Sequence, residues 1–255
     1  MADKTITLYG FATSPFVMKV KAYLEYKRIP YGFCPVRPRT AEQIAFTGQK
    51  KVPVLKVDDE WRTNSSDLGI WLEELFPKPR ILGKTPDARD EILKLDHWVT
   101  NRLIPTRLRE NIDWYRYFSG WGNGWRQARI INSTTPIPWY WRYAWPIAIQ
   151  RAPSVWKEME KIDRRQPLDA LWYDVLEELE DHLADGPFMG GFKKPTLADL
   201  SAYPVLIAPW LMGHNCLFRW LERDRIIDWM SRVQSHLPDN PLPCDDQFIL
   251  RDFPF

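Results

Sequence analysis

The sequence has few cysteines and no long apolar run, and each shortage argues against a class of protein. Its three cysteines, Cys34, Cys216 and Cys244, lie far apart, with no Cys-x-x-Cys pair and no Cys/His cluster. We therefore expect no metal site, and so few cysteines fit a reducing compartment. No window reaches the roughly 18 consecutive apolar residues that a membrane-spanning helix needs, so we expect no transmembrane segment.

The charge and the first residues exclude further classes. The formal net charge is only +2 over 255 residues, so nothing in the overall charge points to a nucleic acid or an acidic partner. Residues 1–10 have neither the apolar stretch of a secretory signal nor the arginines of a transit peptide. We therefore expect a cytoplasmic protein with no nucleic acid partner.

Residues 1–76 alternate between strand and helix patterns, which predicts a small α/β domain. In the first predicted helix, Val17, Val20 and Leu24 share one face and Lys19 lies away from it. The order is strand, helix, strand, an irregular loop, a hairpin and a helix. The predicted strands are 5–11, 31–36, 52–57 and 60–63, and the predicted helices are 15–28 and a second one that begins within 64–66 and ends at Leu75.

The rest of the chain predicts an all-helical domain. Residues 77–88 are rich in proline and turn formers and read as a linker. Residues 89–255 contain no segment that reads as a strand. Thr196 and Asp199 form a capping-box pattern ahead of one apolar run. The predicted helices are 88–110, 168–184, 196–211 and 219–236.

An unusual segment interrupts the helical domain at residues 114–156, here called the Trp-rich segment. It holds seven of the 14 tryptophans, and residues 102–165 carry 12 Lys and Arg against five Asp and Glu. Three interpretations stay open: local packing of an extended helix-loop-helix, a pocket or lid for a bulky apolar substrate, or a patch that lies on a membrane surface.

Four motifs lie at the boundaries between these elements. They are SPFVMKVKAYLE from Ser14, KKVPVL from Lys50, NSSDLGIWL from Asn64, and GPFMGG from Gly186 followed by PTLAD from Pro195. Their order resembles that of the cytosolic glutathione transferase superfamily, over about residues 1–100 and 168–235. The first motif is similar to the tau class and the second to the tau and omega classes, without assigning a class.

The resemblance implies a thioredoxin-like N-terminal domain and an all-α C-terminal domain. It implies a homodimeric transferase that conjugates the glutathione thiolate to a hydrophobic electrophile without a metal. The alternative is a non-catalytic protein of the same fold, a metaxin-like binding or scaffold protein. A thiol-disulfide activity would need a cysteine at position 14, and this chain has Ser14 there.

The resemblance makes Ser14 the catalytic residue. A free thiol has a pKa of about 8.5 and is mostly protonated at neutral pH, whereas the thiolate is the nucleophile. A hydroxyl that donates a hydrogen bond to the sulfur favours the thiolate, and so does a helix N-terminus. Pro15 suits the first turn of the helix. The alternative is that Ser14 only caps this helix.

The resemblance also implies a backbone clamp at Val52 and Pro53. A cis bond between them would turn the Val52 N–H and C=O outward, where they would pair with the cysteinyl backbone of glutathione. The alternative is an ordinary proline at the start of a strand.

The resemblance implies that three further positions, Asn64, Ser65 and Lys51, hold the charged ends of glutathione, with Asn64 facing its amine. Ser65, at a helix start, would bind the γ-glutamyl carboxylate. Asn64 stands where the family has a charged or Gln side chain, so it supplies no counter-charge. Lys51 would meet the glycyl carboxylate, with Lys50 and Arg39 as alternatives, and a solvated loop explains the two lysines equally well.

The electrophile is expected on the second domain, opposite the sulfur. The Trp-rich segment follows the first helix of that domain, where the resemblance places the hydrophobic site. The candidate acceptor-site residues are Phe16, Trp114, Tyr115 and Tyr117.

Overall fold

The computed structural model describes residues 4–38, 40–115, 120–135 and 137–255. Its strands are β1 (Ile6–Gly10), β2 (Gly32–Pro35), β3 (Val54–Val57) and β4 (Glu60–Thr63). Its helices are α1 (Pro15–Tyr26), α2 (Ser65–Leu75), α3 (Pro86–Trp98), α4 (Ile104–Tyr115), α5 (Trp121–Thr134), α6 (Trp139–Gln150), α7 (Pro153–Met159), α8 (Leu168–His182), α9 (Leu197–Leu211) and α10 (Asp224–Gln234). Arg39 and Tyr117, named above as candidates, lie outside the described residues.

The four strands form one mixed sheet in the order β2-β1-β3-β4. β1 pairs with β2 in parallel, whereas β3 pairs in antiparallel fashion with β1 and β4. Alternate residues of β1 are buried, as expected of a strand with one covered face. α1 packs against α2 and against α9 of the second domain. The predicted thioredoxin-like domain is confirmed.

The second domain contains helices and no strand among its described residues. Its central helix is α9, which is buried along almost its whole length and contacts α1, α3 and α10. The predicted capping box is present: Asp199 Oδ2 accepts hydrogen bonds from the Thr196 N–H at 2.8 Å and its hydroxyl at 2.7 Å. The fully buried Asp199 also accepts bonds from Met189 N and Trp229 Nε1, which anchors the start of α9.

Two predicted helices differ in detail from the structure. The one over 88–110 is α3 and α4, joined by a π-helical turn at Val99–Leu103. The one over 219–236 is a 3-10 turn, Arg219–Glu222, followed by α10. Arg223 has extended backbone angles (φ −124°, ψ 94°), so no continuous helix crosses it.

α1 is buried on more sides than its apolar pattern indicates. Lys19, which lies away from the apolar face of this helix, is fully buried. Its Nζ lies 2.9 Å from Asp96 Oδ1 and donates to Thr100 Oγ1 at 2.8 Å. An amphipathic pattern assumes one wet face, whereas α1 lies between its own sheet and α9, and the lysine is buried because α3 supplies a carboxylate.

The Trp-rich segment forms α5, α6 and α7 in its described part. Trp145 is buried and donates to Gln127 Oε1 at 3.3 Å. Trp139, in contrast, is 69% exposed, and Tyr140 and Tyr143 of the same helix are also exposed. Local packing therefore accounts for one face of α6, and the other face carries exposed aromatic rings.

Candidate functional site

The predicted glutathione residues come together because of the strand register. Tyr9, near the end of β1, pairs with Val54 at the start of β3, and Val54 pairs with Thr63 at the end of β4. The segments 11–14, 52–53 and 64–65 adjoin these three strand ends. The fold therefore brings the predicted catalytic serine, the predicted clamp and the start of α2 to one edge of the sheet.

Ser14 precedes α1 but does not cap it through its side chain. Its backbone angles are extended (φ −80°, ψ 123°), and its carbonyl accepts from Val17 N at 3.1 Å and Met18 N at 3.0 Å. Its hydroxyl makes no capping hydrogen bond. Pro15 occupies the first helical turn, as predicted. The Ser14 hydroxyl thus stands at a helix N-terminus, half-buried, without the role that the capping alternative gave it.

The Val52–Pro53 peptide bond is cis, as predicted from the KKVPVL motif. Val52 is half-buried and Pro53 is buried. Both residues precede β3, whose ladder with β1 begins at Val54. The backbone of Val52 therefore lies at the strand end rather than within the ladder.

The start of α2 has an unusual backbone. Asn64 is exposed and has a positive φ of 70°, and its Oδ1 accepts from Ser66 N at 3.3 Å. Positive φ is uncommon outside glycine and often marks functional sites. Ser65 is the first residue of α2, 4% exposed, where the free N–H groups of the helix begin. The Asn64 side-chain carbonyl thus caps α2, and the roles of Asn64 and Ser65 in binding glutathione stay predictions.

The sequence analysis assigned no role to Ser66, the residue that follows Ser65 in α2. The Ser66 hydroxyl donates to Asp96 Oδ2 at 2.5 Å, and the Ser201 hydroxyl donates to Asp96 Oδ1 at the same distance. Lys19 binds the same carboxylate. Asp96 therefore ties α1, α2 and α9 to α3, directly behind the predicted site. A lone Asp on a predicted helix gave no signal of this role.

The predicted lysines and the predicted acceptor residues differ in how far they are buried. Lys50 and Lys51 are exposed. Phe16 is partly buried and packs against the main core, and Trp114 is half-buried in α4. The side chain of Tyr115 and all of Tyr117 lie outside the described residues. The role of these four aromatic residues as acceptor residues stays a prediction.

A different set of residues lies beside the Ser14 loop. Ala12 and Met18 share a buried cluster with Ile130 of α5 and Met212 after α9, and Phe248 packs against it. A pocket of about 250 Å³, counted to its open mouth, adjoins this cluster. We call it the arginine pocket, and its lining residues are Arg126, Arg129, Ile130, Met212, Gln247, Phe248 and Leu250.

None of the three cysteines has the character of a reactive thiolate. Burial raises the pKa of Cys34 on β2. Burial also raises the pKa of Cys216 and of Cys244 to about 12 each. A thiol with a raised pKa is a poor nucleophile at neutral pH. The chain's own cysteines therefore supply no nucleophile to the site.

No group of His, Cys, Asp and Glu in the described ranges could hold a metal ion. Within the same ranges, no helix has the length and apolar character to cross a bilayer.

Comparisons with known proteins agree with this architecture. The family model described as "Glutathione S-transferase, N-terminal domain" matches residues 8–80, and the one described as "Glutathione S-transferase, C-terminal domain" matches residues 162–232. The chain belongs to the glutathione S-transferase family. The Trp-rich segment lies between the two matched regions.

Individual relatives are distant. Prostaglandin E synthase 2 of Danio rerio is 24% identical over 275 residues, covering 91% of this chain and 71% of that protein. Glutaredoxin 2 of Escherichia coli is 28% identical over 106 residues, covering 41% of this chain and 49% of that protein. The first match spans almost the whole chain, whereas the second spans less than half of it.

Solved structures show the same fold over both domains. Human glutathione transferase theta-2, solved with glutathione and an unknown ligand, has a TM-score of 0.59 and 22% identity, and the match covers 91% of this chain and 82% of that chain. The β-etherase LigF from a Sphingobium species has a TM-score of 0.62 and 17% identity, covering 91% and 95%.

Proposed function

We propose that this protein is a glutathione transferase that uses Ser14 to stabilise the glutathione thiolate for attack on an electrophile. The observation that carries the proposal is the Ser14 hydroxyl. It stands at the N-terminus of α1 with no capping bond, at the same sheet edge as Val52 and Ser65. Membership of a family that uses glutathione supports the choice of thiol.

Each part of glutathione has a candidate partner at this edge. The backbone of Val52 would pair with the cysteinyl unit, as a short strand addition. The first N–H groups of α2 and the Ser65 hydroxyl would bind the γ-glutamyl carboxylate, because a helix N-terminus favours an anion. Lys51, exposed and close in sequence to the clamp, would meet the glycyl carboxylate.

The proposed chemistry is a displacement or an addition at carbon. The thiol proton leaves to solvent, and the Ser14 hydroxyl donates to the sulfur. With an aryl halide, the sulfur forms a bond to the ring carbon, and the halide leaves with the electron pair of the bond that breaks. Ser14 acts only through a hydrogen bond, which is worth most to the charged form of the sulfur.

A homodimer and a cytoplasmic location are further parts of the proposal. The first rests on the family resemblance and the second on the composition of the chain. Sedimentation of the purified protein at micromolar concentration tests the first, and fractionation of cells tests the second.

The first experiment is a calorimetric titration with glutathione, followed by turnover of a neutral aryl halide. Saturable binding with catalysed conjugation supports the proposal. No binding at millimolar glutathione would sink it and would favour the non-catalytic alternative, for which the neutral Asn64 is the motivating departure.

The second experiment replaces the proposed catalytic hydroxyl. Ser14→Ala removes one preorganised donor, so we expect kcat for the neutral aryl halide to fall by about 100-fold. Because the hydroxyl caps nothing, the free energy of unfolding should change by less than about 0.5 kcal/mol. Unchanged turnover would remove Ser14 from the mechanism.

A further inference from the structure

We infer that the arginine pocket binds the anionic group of an acceptor substrate, so that the preferred electrophiles are small aromatic or alkyl compounds that carry a carboxylate or a similar anion. This inference rests on the proposed function. It changes the expected acceptor from a purely hydrophobic compound to an amphipathic anion.

The position of the pocket connects it to the predicted sulfur site. Ile130 and Met212 line the pocket and belong to the same buried cluster as Ala12 and Met18. Ala12 lies two residues before Ser14. Met18 lies one helical turn after Ser14, and its N–H donates to the Ser14 carbonyl at 3.0 Å. A molecule in the pocket would therefore contact two residues of the buried cluster that also holds Ala12 and Met18, on either side of Ser14.

The charges of the pocket are uncompensated. Arg126 and Arg129 line it, and Arg251 follows the lining residue Leu250. No carboxylate of the described residues lies within ion-pair distance of any of the three, and Arg126 reaches only Asn123 Oδ1, at 3.4 Å. Arg129 is exposed, and Arg251 lies over the rings of Trp210 and Phe218. The half-buried Arg126 is therefore the cation whose lack of a counter-charge most favours the binding of an anion.

Two of the nearby carboxylates are held elsewhere, and a third, Asp245, accepts from Nε2 of the lining residue Gln247 at 3.3 Å. Asp246 adjoins the lining residue Gln247, but its Oδ1 accepts from Asn240 Nδ2 at 2.9 Å. Glu110 is fully buried and pairs with Arg107, and its Oε1 accepts from Leu217 N at 2.5 Å. Neither neutralises the arginines that line the pocket.

A fully buried histidine lies behind the pocket. Neither ring nitrogen of His214 has a hydrogen-bond partner among the described residues. Burial lowers its pKa to about 3, and the charges of Arg107, Arg126 and Arg251 act in the same direction. Because the ring is fully buried, this side of the pocket is poorly solvated, and an anion there is attracted to the arginines more strongly than in water.

The rest of the lining decides the shape of the ligand. Ile130, Met212, Phe248 and Leu250 are apolar, and Gln247 adds one amide. A bare inorganic anion would leave these apolar side chains without contact, whereas an aromatic acid would use both surfaces.

The test compares two electrophiles that differ in one charge. They are para-chloro-meta-nitrobenzoate and its neutral amide, each reacted with glutathione and each corrected for its uncatalysed rate. In both, sulfur bonds to the chlorine-bearing carbon and chloride leaves. We expect kcat/KM for the carboxylate to exceed that for the amide by about tenfold, the effect of one charge-assisted hydrogen bond.

Substitutions test whether this preference for the carboxylate comes from the arginine pocket. Arg126→Gln should remove most of the tenfold preference, Arg126→Lys should keep part of it, and the exposed Arg129→Gln should lower it about twofold. The exposed Arg225 of α10 supplies the control, since Arg225→Gln should leave the ratio unchanged. If Arg126→Gln raises the KM for glutathione and leaves the acceptor ratio intact, the arginine serves glutathione and the inference is wrong.

Binding without chemistry separates this inference from the proposed function. meta-Nitrobenzoate and meta-nitrobenzamide lack the leaving group, and their dissociation constants can be measured by calorimetry on the full chain. Tighter binding of the acid, lost in Arg126→Gln, supports the pocket even if no conjugation is catalysed. Equal affinity for acid and amide overturns the inference even if glutathione turns over normally.

Discussion

The two sides of the proposed site are built in different ways. The first-domain side consists of Ser14, Val52, Pro53 and Ser65, and all of them lie at the ends of strands and helices. The second-domain side is the arginine pocket, whose side chains come from α5, from the residue after α9 and from residues 247–250. The first side presents backbone groups and two hydroxyls that are fixed at element ends, whereas the second presents side chains only.

This difference separates the part of the site that would bind an unchanging substrate from the part that would select among acceptors. Backbone groups at element ends are fixed by the strand register, so they suit a substrate that does not change, such as glutathione. Side chains from three distant parts of the chain can be exchanged without altering the sheet, so they suit selection among acceptors. We expect substitutions on the two sides to affect different kinetic constants.

The largest effect should come from Asp96, the carboxylate that ties α1, α2 and α9 to α3. Asp96→Ala leaves the fully buried Lys19 without its counter-charge, so we expect the free energy of unfolding to fall by about 3–5 kcal/mol. Urea denaturation measures it. The exposed pair Arg37 and Glu42 provides the control, because Glu42→Ala should cost less than about 1 kcal/mol. Equal losses for both variants would contradict a structural role for Asp96.

The next largest effect should be a fall in the free energy of unfolding at low pH, caused by His214. The His214 pKa of about 3 in the folded chain lies below its unfolded value of about 6.5, so the unfolded chain binds a proton first as the pH falls. The stability contribution is complete above about pH 6.5 and is lost progressively below it. Between pH 7 and pH 5 the loss should be about 2 kcal/mol.

Urea denaturation at several pH values in that range measures the slope. His214→Gln should make the slope shallower, whereas the exposed His97→Gln should leave it as in the wild type. A slope that His214→Gln leaves unchanged would show that this histidine is not held neutral.

Substitutions of two adjacent serines, Ser65 and Ser66, should separate glutathione binding from stability on the first-domain side. Ser65→Ala should weaken glutathione binding by roughly tenfold, since one hydrogen bond to a carboxylate is lost. Ser66→Ala should leave glutathione affinity nearly unchanged and lower stability instead, because its hydroxyl binds Asp96. Calorimetry and urea denaturation of both variants separate the two effects, and reversed outcomes would mean that the roles have been exchanged.

The smallest effect concerns the apolar lining of the second side. Phe248 is half-buried against the cluster beside Ala12, and Phe248→Ala removes apolar contact worth about 1 kcal/mol. We expect kcat/KM for a neutral aryl halide to fall about fivefold, with the affinity for glutathione unchanged. A matched loss of glutathione affinity would show that the two sides are not independent.

The first side could be predicted from the sequence because its motifs are local. The Ser14 helix start, the cis bond at Val52–Pro53 and the helix start at Ser65 each follow from adjacent residues, and the strand order brings them together. The capping box at Thr196 and Asp199 was predicted for the same reason.

The second side could not be predicted in this way. Arg126 and Phe248 are separated by more than a hundred residues and meet only through tertiary packing. The abundance of tryptophan directed attention to Trp114, Tyr115 and Tyr117, whereas the pocket contains no tryptophan or tyrosine. The burial of Lys19 was missed because its partner, Asp96, is on a helix of the other domain.

The central claim is that Ser14 stabilises the glutathione thiolate, and the pKa of the bound thiol tests it most directly. The ultraviolet absorbance of the thiolate can be titrated in the binary complex of the wild type and of Ser14→Ala. We predict a bound pKa at least about one unit below the free value of roughly 8.5, and a return toward that value in the variant. The same bound pKa in both proteins, or one no lower than that of free glutathione, would contradict the claim.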